Sequence, residues 1–440
     1  MASMSGDSAT SVEPPMKVDL LIHSASQLLT LAGGPQRGGE LGQLGIIENG
    51  AIAIVGGGIH AVGESDELRA AYEPEETIHA VGRVVMPGFV DPHTHLIWAG
   101  DRSAEFEARS SGATYMEILA DGGGILSTVR QTRTTETSAL IMQAEQRLSR
   151  MLRHGTTTAE AKTGYGLELE TELRMLKAIL KLDERGPIEL APTFLPAHAV
   201  PPEQEADAYI ETIGTEMLPA LVEWWGKNGN GTPFPFVDVF CEEGAFDLAQ
   251  SERVLSAAQD LGFPLKIHAD EFASLGGVAL AVELGAVSAD HLVHTPADEI
   301  QSLGESETVA IGLPATPFGL GETDYTPANE FLEANGLLAL ATDLNPGTAW
   351  CESPQFVIAL ATRYMGLSPA QAIAACTINA AAAIGRQDVI GSLEPGKQAD
   401  LLILEVDRYR HLGYRFGTNL VQRVVKKGKV AVDRRRDGFR

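Results

Sequence analysis

Eight short apolar segments alternate with helix-like stretches through the middle of the chain. The strand candidates span residues 85–95, 156–162, 191–199, 236–242, 264–271, 286–292, 308–314 and 337–343. Helical patterns lie between them, at 138–153, 168–182, 248–261 and 276–284. Regular alternation of strands and helices is typical of a parallel α/β fold. Eight units over residues 85–385 therefore predict a closed (β/α)8 TIM-type barrel rather than an open sheet, with a further helix at 369–384 packed on its outside.

Both ends of the chain carry short β-like segments that lie outside the predicted barrel. They are found at 19–23, 45–48, 51–55, 78–80, 400–404 and 421–432. Because the two ends of a compact central unit lie close together, these segments can meet. We expect residues 17–84 and 386–440 to form one small, discontinuous β-sandwich domain. Residues 1–16 contain no apolar run and are expected to be a disordered tail.

The charge of the chain argues against two classes of partner. The 440 residues include 33 lysines and arginines against 59 aspartates and glutamates, a formal net charge of -26. Such a surface repels nucleic acids and anionic membranes, so we expect neither as a partner. No apolar run approaches the ~20 residues of a membrane span. The three cysteines show no metal-binding spacing, and a reduced, cytoplasmic setting is the default expectation.

Polar residues gather where the predicted strands end. His93 and His95 close the first strand, and alternate residues of a strand point to the same side, so both imidazoles can face one point. His268 lies near the end of the fifth strand and Asp343 closes the eighth. The carboxyl ends of barrel strands open onto one mouth, where a catalytic metal needs about three or four protein ligands. These four residues are therefore predicted to bind a divalent metal ion; the alternative has each of them bonded to loop backbone.

This set of strand-end residues resembles the amidohydrolase superfamily, whose barrels carry a β-sandwich built from both chain ends. A histidine that closes strand six, His291, extends the resemblance. Several binuclear members place a carboxylated lysine on strand four, but this chain has Phe240-Cys241-Glu242 there. The resemblance therefore implies one metal ion per subunit. It is either zinc or iron, since three histidines and one aspartate suit several divalent ions.

Longer stretches are similar to the imidazolonepropionase family within that superfamily. They include PGFVDPHTHLIWAGDR, GGGILSTVR, AKTGYGLELE, LKIHADE and ATDLNPGT, and the resemblance runs over most of residues 84–430. It implies hydrolysis of the cyclic amide of 4-imidazolone-5-propanoate to N-formimino-L-glutamate, a step of histidine degradation. The attacking group is a metal-activated water, and its target is the ring carbonyl. The resemblance also implies a homodimer.

The same resemblance implies roles for single residues. Asp343 takes a proton from the attacking water, His291 hydrogen-bonds the carbonyl oxygen as it becomes negative, and Glu271 assists the leaving ring nitrogen. Arg102 binds the propanoate carboxylate through its planar guanidinium, with a surface salt bridge as the alternative. The predicted substrate-binding residues are Arg102, Tyr165, His198, Glu271, Asn345, Gly347 and Thr348.

Some alternatives stay open. A mononuclear deaminase of a purine or pyrimidine-like ring uses the same metal ligands, and only Arg102 and the KTGYGLE stretch favour ring opening. An inactive scaffold of the same fold is expected to have lost ligands, whereas all four are present here. Glu160 and Lys162 form either a structural ion pair or a direct substrate contact. Gly122–Gly124 lack the lysine of a phosphate-binding loop, so a loop that closes over the substrate is expected instead.

Overall fold

The computed structural model describes residues 15–113 and 122–437. Its strands are β1 (Met16–Leu29), β2 (Ile46–Val55), β3 (Gly58–Glu64), β4 (Tyr72–His79), β5 (Val84–Pro87), β6 (Phe89–Asp91), β7 (Thr156–Lys162), β8 (Glu189–Ala197), β9 (Phe236–Cys241), β10 (Lys266–Ala269), β11 (Ser288–His291), β12 (Val309–Gly312), β13 (Leu338–Leu340), β14 (Leu401–Leu404), β15 (Val421–Lys426) and β16 (Lys429–Asp433). Met16 opens β1, and residues 1–14 of the predicted tail lie outside the described residues.

Strands β6 to β13 form the barrel. Each pairs with the next in chain order, and all of these pairs are parallel. The barrel closes just beyond its first and last strands, where Thr94 pairs with Leu344 and the His95 N–H donates to the Leu344 carbonyl at 2.9 Å. The predicted (β/α)8 barrel is confirmed, and the carboxyl ends of its strands surround one mouth.

Helices occupy most of the connections between barrel strands. The α-helices of the described residues, of which α2 to α12 lie between barrel strands, are α1 (Ser65–Ala71), α2 (Ser103–Ser110), α3 (Ile125–Thr134), α4 (Thr137–His154), α5 (Leu169–Arg185), α6 (Ala206–Thr212), α7 (Leu218–Asn228), α8 (Leu248–Asp260), α9 (Gly277–Leu284), α10 (Ala297–Gly304), α11 (Ala315–Leu320), α12 (Ala328–Glu333), α13 (Pro354–Tyr364), α14 (Pro369–Ala375), α15 (Ile378–Ala382) and α16 (His411–Tyr414). In α4 the buried residues Leu140, Ala144, Leu148 and Met151 recur every three or four positions, as expected for a helix with one face on a core. Within the described ranges, no helix combines the length and apolarity that crossing a membrane requires.

The helix predicted at 369–384 is two helices, α14 and α15. Ser368 caps the first: its hydroxyl accepts from the Gln371 N–H, and the Gln371 side chain accepts from the Ser368 N–H. At Thr377 the backbone leaves helical geometry, with φ -129° and ψ -92°. The Thr377 hydroxyl donates to the Ile373 carbonyl at 2.7 Å, a local bond of the kind that often bends helices.

The first predicted strand, 85–95, is divided between two sheets. Val84–Pro87 (β5) pairs with β1 and β14, and only Phe89–Asp91 (β6) enters the barrel. Gly88 makes the transition, because its N–H donates to the Asp400 carbonyl at 3.0 Å and a Cβ at this position would collide with the Thr157 side chain. We propose that the boundary between the two domains lies at Gly88 rather than between residues 84 and 85.

Strands from both chain ends form a separate β domain, as predicted. Hydrogen bonds link them in the order β16-β15-β14-β5-β1-β2-β3, with β4 beside β1. Ile22, Ile52, Leu401 and Val425 are among the buried residues of its core. Leu402, on the neighbouring position of β14, belongs instead to the large core that includes the barrel. This terminal domain is therefore packed against the barrel: alternate residues of β14 point into its own core and into the core that includes the barrel.

Candidate functional site

The four predicted metal ligands converge at the mouth of the barrel. His93 and His95 follow β6, His268 lies in β10, and Asp343 follows β13. One ring nitrogen of each histidine lies within 4.8 Å of the other two. Nε2 of His95 is 3.3 Å from Nε2 of His268. Oδ1 of Asp343 is 3.4 Å from Nε2 of His93 and 3.6 Å from Nε2 of His95.

Two of these atoms have no hydrogen-bond partner among the described residues. They are Nε2 of His93 and Oδ1 of Asp343, and both are buried. An unsatisfied buried polar atom costs about 1–3 kcal/mol, so its presence needs an explanation. Imidazole and carboxylate donors that face one point suit a divalent cation such as zinc. The residues present therefore fit a metal ion, and the structure has a His/Asp metal-binding site.

The backbone is strained where several strand-end side chains are presented. Asp270, His291 and Asp343 have φ values of 56°, 80° and 50°. Non-glycine residues seldom adopt this left-handed conformation, which costs of order 1–3 kcal/mol and persists when surrounding contacts hold it. Asp91 holds the segment before Asp343, because its carboxylate accepts from the Thr342 N–H at 3.0 Å and from the Thr342 hydroxyl at 2.6 Å.

Two buried aspartates orient the rings of two ligands. Oδ2 of Asp290 lies 2.6 Å from Nδ1 of His93, and Oδ2 of Asp238 lies 3.0 Å from Nδ1 of His268. A carboxylate at Nδ1 keeps the proton on that nitrogen and leaves the Nε2 lone pair for a metal. The tautomer that metal binding requires is therefore set by residues on β9 and β11.

The described residues include a cluster of fully buried charges beside the ligands, formed by Glu160, Lys162, Asp238, Lys266 and Asp290. Nζ of Lys162 is 2.7 Å from Asp238, 3.0 Å from Glu160 and 3.5 Å from Asp290. Nζ of Lys266 is 2.9 Å from Glu160. Burial opposes the charge of Lys162, but the three carboxylates more than offset this effect and raise its pKa. Of the two alternatives for Glu160 and Lys162, the structure supports the ion pair.

His291 and Glu271 lie together at the mouth, with Nε2 of His291 3.6 Å from Oε2 of Glu271. Burial lowers the pKa of His291 well below its ordinary value and raises the pKa of Glu271 well above it. Burial also raises the pKa of Asp343, to about 6, although the hydrogen bond from Thr316 opposes this. Glu242 accepts from the two backbone N–H groups that follow Glu271, at 2.9 and 3.0 Å, and so fixes that segment.

Tyr165 and His198 form an aromatic wall beside His95. The rings of His198 and His95 are stacked, with centroids 4.7 Å apart and planes at 13°. The Tyr165 centroid lies 5.9 Å from that of His95. Nδ1 of His198 donates to the Gly164 carbonyl at 2.9 Å, which makes Nε2 the acceptor of a neutral ring. Burial raises the pKa of Tyr165, so its phenol stays protonated.

Arg102 faces the segment that follows β13. Its Nε and Nη2 donate to Oε2 of Glu105 at 2.9 and 2.7 Å, and Nη1 lies where a Cβ on Gly347 would collide with it. Oδ1 of Asn345 accepts from the N–H groups of Gly347 and Thr348, both at 2.8 Å. Arg102, Gly347 and Thr348 are among the residues that line a cavity of about 540 Å³.

Residues 84–431 match the model of the amidohydrolase family. The chain belongs to this family. Curated relatives of this amidohydrolase include the imidazolonepropionase of Chloroflexus aggregans, 51% identical over 94% of this chain and 98% of the relative. The imidazolonepropionase of Herpetosiphon aurantiacus is 50% identical over 94% of this chain and 97% of the relative.

Several solved structures share the fold of this chain. An adenosine deaminase from Xanthomonas campestris with bound zinc gives a TM-score of 0.70 at 20% identity, covering 96% of this chain and 94% of that one. The guanine deaminase of E. coli gives a TM-score of 0.69 at 16% identity, covering 94% and 99%. At such low identities the likeness shows the fold alone.

Several residues that hold this amidohydrolase site in place are not among those predicted from the sequence. They are Glu105, Asp238, Lys266 and Asp290, together with Glu172, whose carboxylate accepts from the N–H groups of Gly164, Gly166 and Leu167. The available signal was a charged residue within an otherwise apolar strand, as in FVDVF and LKIHA. Glu105 and Glu172 lie on helices that carry other acidic residues, so the sequence contains no pattern that separates them from surface charges.

Proposed function

We propose that the chain hydrolyses the cyclic amide of 4-imidazolone-5-propanoate to N-formimino-L-glutamate. The observation that carries this proposal is the 50–51% identity, over 94% of the chain, to proteins named imidazolonepropionase. The site supports it, since a His/Asp metal-binding site lies beside a buried histidine and a buried glutamate. Those relatives do not favour the alternative, a deaminase of a purine or pyrimidine-like ring.

One divalent ion, zinc or iron, would be held by His93, His95, His268 and Asp343. When bound, such an ion supplies Lewis acidity that lowers the pKa of water from ~15.7 toward ~7. Two aspartates of the chain also favour a cation at this position. Asp238 and Asp290 bring negative charge to the rear of two ligand rings, which favours a cation in front of them.

Three side chains would hold or move protons. The Asp343 carboxylate takes a proton from the attacking water, and its burial makes it a stronger base than an exposed aspartate because burial raises its pKa. His291 is neutral, because burial lowers its pKa, and it donates an N–H to the carbonyl oxygen as negative charge develops there. Glu271 holds a proton, because burial raises its pKa, and gives it to the ring nitrogen as the C–N bond breaks.

The propanoate carboxylate would bind Arg102. Glu105 occupies the Nε and Nη2 side of the guanidinium, and the edge formed by Nη1 and Nη2 still offers two parallel N–H groups for a bidentate contact. Asn345 shapes the facing segment, so that Gly347 and Thr348 approach the carboxylate. Tyr165 and His198 would contact the ring from the side, next to His95.

We further propose a cytoplasmic homodimer: the family resemblance implies the dimer, and the three free cysteines favour a reduced compartment. Size-exclusion chromatography with light scattering should give the mass of two chains of 46.8 kDa. A mass of one chain at micromolar concentration would contradict the dimer without affecting the proposed reaction.

The proposed reaction is tested by mixing metal-loaded enzyme with freshly prepared imidazolonepropanoate and following loss of the ring's ultraviolet absorbance. We expect rapid loss with wild type, and Asp343→Ala should lower the rate by about 10²- to 10⁴-fold because a proton acceptor is removed. Asp260→Ala, at an exposed position of α8, is the matched control and should behave as wild type. No loss with the wild-type enzyme, or ammonia release from a purine or pyrimidine instead, would contradict the proposal.

A further inference from the structure

Lys162 contacts carboxylates that belong to two different strands. Its Nζ is 2.7 Å from Oδ2 of Asp238 on β9 and 3.5 Å from Oδ2 of Asp290 on β11. The same two oxygens face Nδ1 of His268, at 3.0 Å, and Nδ1 of His93, at 2.6 Å. One ammonium group therefore lies between the two carboxylates that orient two ligand rings.

The setting makes this contact hard to replace. The side chains of Lys162, Asp238 and Asp290 have no solvent exposure, so water cannot take the place of a lost partner. Removing one partner of a buried ion pair leaves an uncompensated charge, and the remaining groups then move or change protonation. Without Lys162, no lysine of the described residues would contact both aspartates.

Lys266 offers a matched comparison. It is also a fully buried lysine of the same cluster, but Nζ contacts Glu160 at 2.9 Å and the Pro92 carbonyl at 3.0 Å. Among the described residues, Lys162 is the lysine found within 4.0 Å of both aspartates. The two lysines thus carry the same charge into the barrel and differ in which carboxylates they contact within 4.0 Å.

We propose that Lys162 is a positioning residue of the metal site, which fixes Asp238 and Asp290 and, through them, the rings of His268 and His93. The inference rests on the proposed ligand set. A positioning role and a purely electrostatic role for Lys162 predict opposite changes in metal affinity when the lysine is removed. As a bare positive charge, Lys162 repels a metal cation, so its removal would tighten metal binding. As a positioning residue, it prepares two ligands, so its removal weakens metal binding.

The test is a titration of the full-length, metal-free protein with Co²⁺, read from the visible absorption of the bound ion. Lys162→Met should lower the affinity for Co²⁺ by about 10- to 100-fold, the usual effect of losing a group behind a metal ligand, and should change the shape of the spectrum. Lys266→Met removes a buried ammonium group of the same cluster without removing a contact to either aspartate, so it should lower the Co²⁺ affinity clearly less than Lys162→Met and should keep the shape of the spectrum.

The possible results distinguish a failure of the positioning role of Lys162 from a failure of the proposed ligand set. Wild-type or tighter Co²⁺ affinity in Lys162→Met would overturn the positioning role alone, and so would an equal loss in Lys266→Met. Lys162→Gln, whose uncharged amide is one bond shorter than the lysine side chain, carries the same expectation if the methionine variant does not fold. A wild-type protein that binds no Co²⁺ would overturn the proposed ligand set, and this inference with it.

Discussion

Arg102 is held at the barrel mouth by an ion pair rather than left to move freely. Glu105 accepts two hydrogen bonds from it, and Gly347 leaves just enough space for Nη1. A lysine at this position keeps the charge but loses the planar fork that matches a carboxylate. We expect Arg102→Lys to raise KM for imidazolonepropanoate by about 10- to 100-fold, since a hydrogen bond to a charged group is worth about 1.5–3 kcal/mol.

A second arginine controls for the substitution itself. Arg253 on α8 pairs with Glu211 at 3.0 Å, as Arg102 pairs with Glu105, but it lies on the outer surface. Arg253→Lys should leave KM and kcat unchanged in the same steady-state assay. An unchanged KM in Arg102→Lys would show that the carboxylate binds elsewhere. A loss of kcat with no change in KM would place Arg102 in the chemistry instead of in substrate binding.

Residues of this site differ in how far the sequence can predict them. His93 and His95 are predictable because the two-residue period of a strand is a local property, and a barrel brings strand ends to one mouth. Asp238 and Asp290 are not, because each acts on a histidine from another strand, and pairing across strands depends on the register of the closed barrel. A charge within an apolar strand shows only that a partner is needed.

The segment between β7 and α5 depends on one buried carboxylate of that helix. Glu172 has no solvent exposure, and its two oxygens accept from the N–H groups of Gly164, Gly166 and Leu167 at 2.7–2.9 Å. This segment carries Tyr165 against His95. Glu172→Gln replaces one acceptor oxygen by an NH₂ group that faces a backbone donor. We expect it to lower the unfolding free energy by about 1–3 kcal/mol and to raise KM through Tyr165.

Glu170 provides the matched variant, because it is an exposed glutamate on the same turn of α5. Glu170→Gln removes the same charge and should leave both the urea unfolding midpoint and KM as in wild type. If Glu172→Gln unfolds at the wild-type urea concentration, the carboxylate does not hold the segment. The type and place of α5 follow from its helical period, but the bonds from Glu172 to a preceding loop do not.

The sequence predicts the elements least well where one apolar run of the chain contributes to two sheets. The apolar run before His93 continues without a break in hydrophobicity, so the sequence predicts a single strand from 85 to 95. The structure assigns β5 to the terminal sheet and β6 to the barrel, with Gly88 between them. What divides the run is the absence of a side chain at Gly88 against Thr157, a contact between distant parts of the chain.

A polar contact centred on Glu189 links the barrel to the terminal domain. Glu189, the first residue of β8, lies 2.7 Å from Nζ of Lys426 and 2.8 Å from Nζ of Lys427. Gln398 donates to it at 2.6 Å. Burial raises the pKa of Glu189, but Lys426 and the hydrogen-bond donors around it more than offset this, and the pKa falls from 4.5 to about 2. The ionised carboxylate therefore stabilises the joined domains.

The sign of this shift gives a pH-dependent prediction for the stability of the whole protein. A depressed folded-state pKa contributes stability that is fully present above pH 4.5 and is lost as the pH falls toward about 2. We expect Glu189→Gln to lower the unfolding free energy by about 2 kcal/mol near neutral pH, measured by urea unfolding.

Glu223→Gln, at an exposed position of α7, is the control and should leave the unfolding free energy unchanged. The difference between wild type and Glu189→Gln should shrink as the pH falls below 4.5, because the Glu189 carboxylate of the unfolded chain is then protonated while that of the folded protein stays ionised until about pH 2. A difference that stays constant over that acidic range would mean that Glu189 joins the domains by packing and neutral hydrogen bonds, and not by its charge.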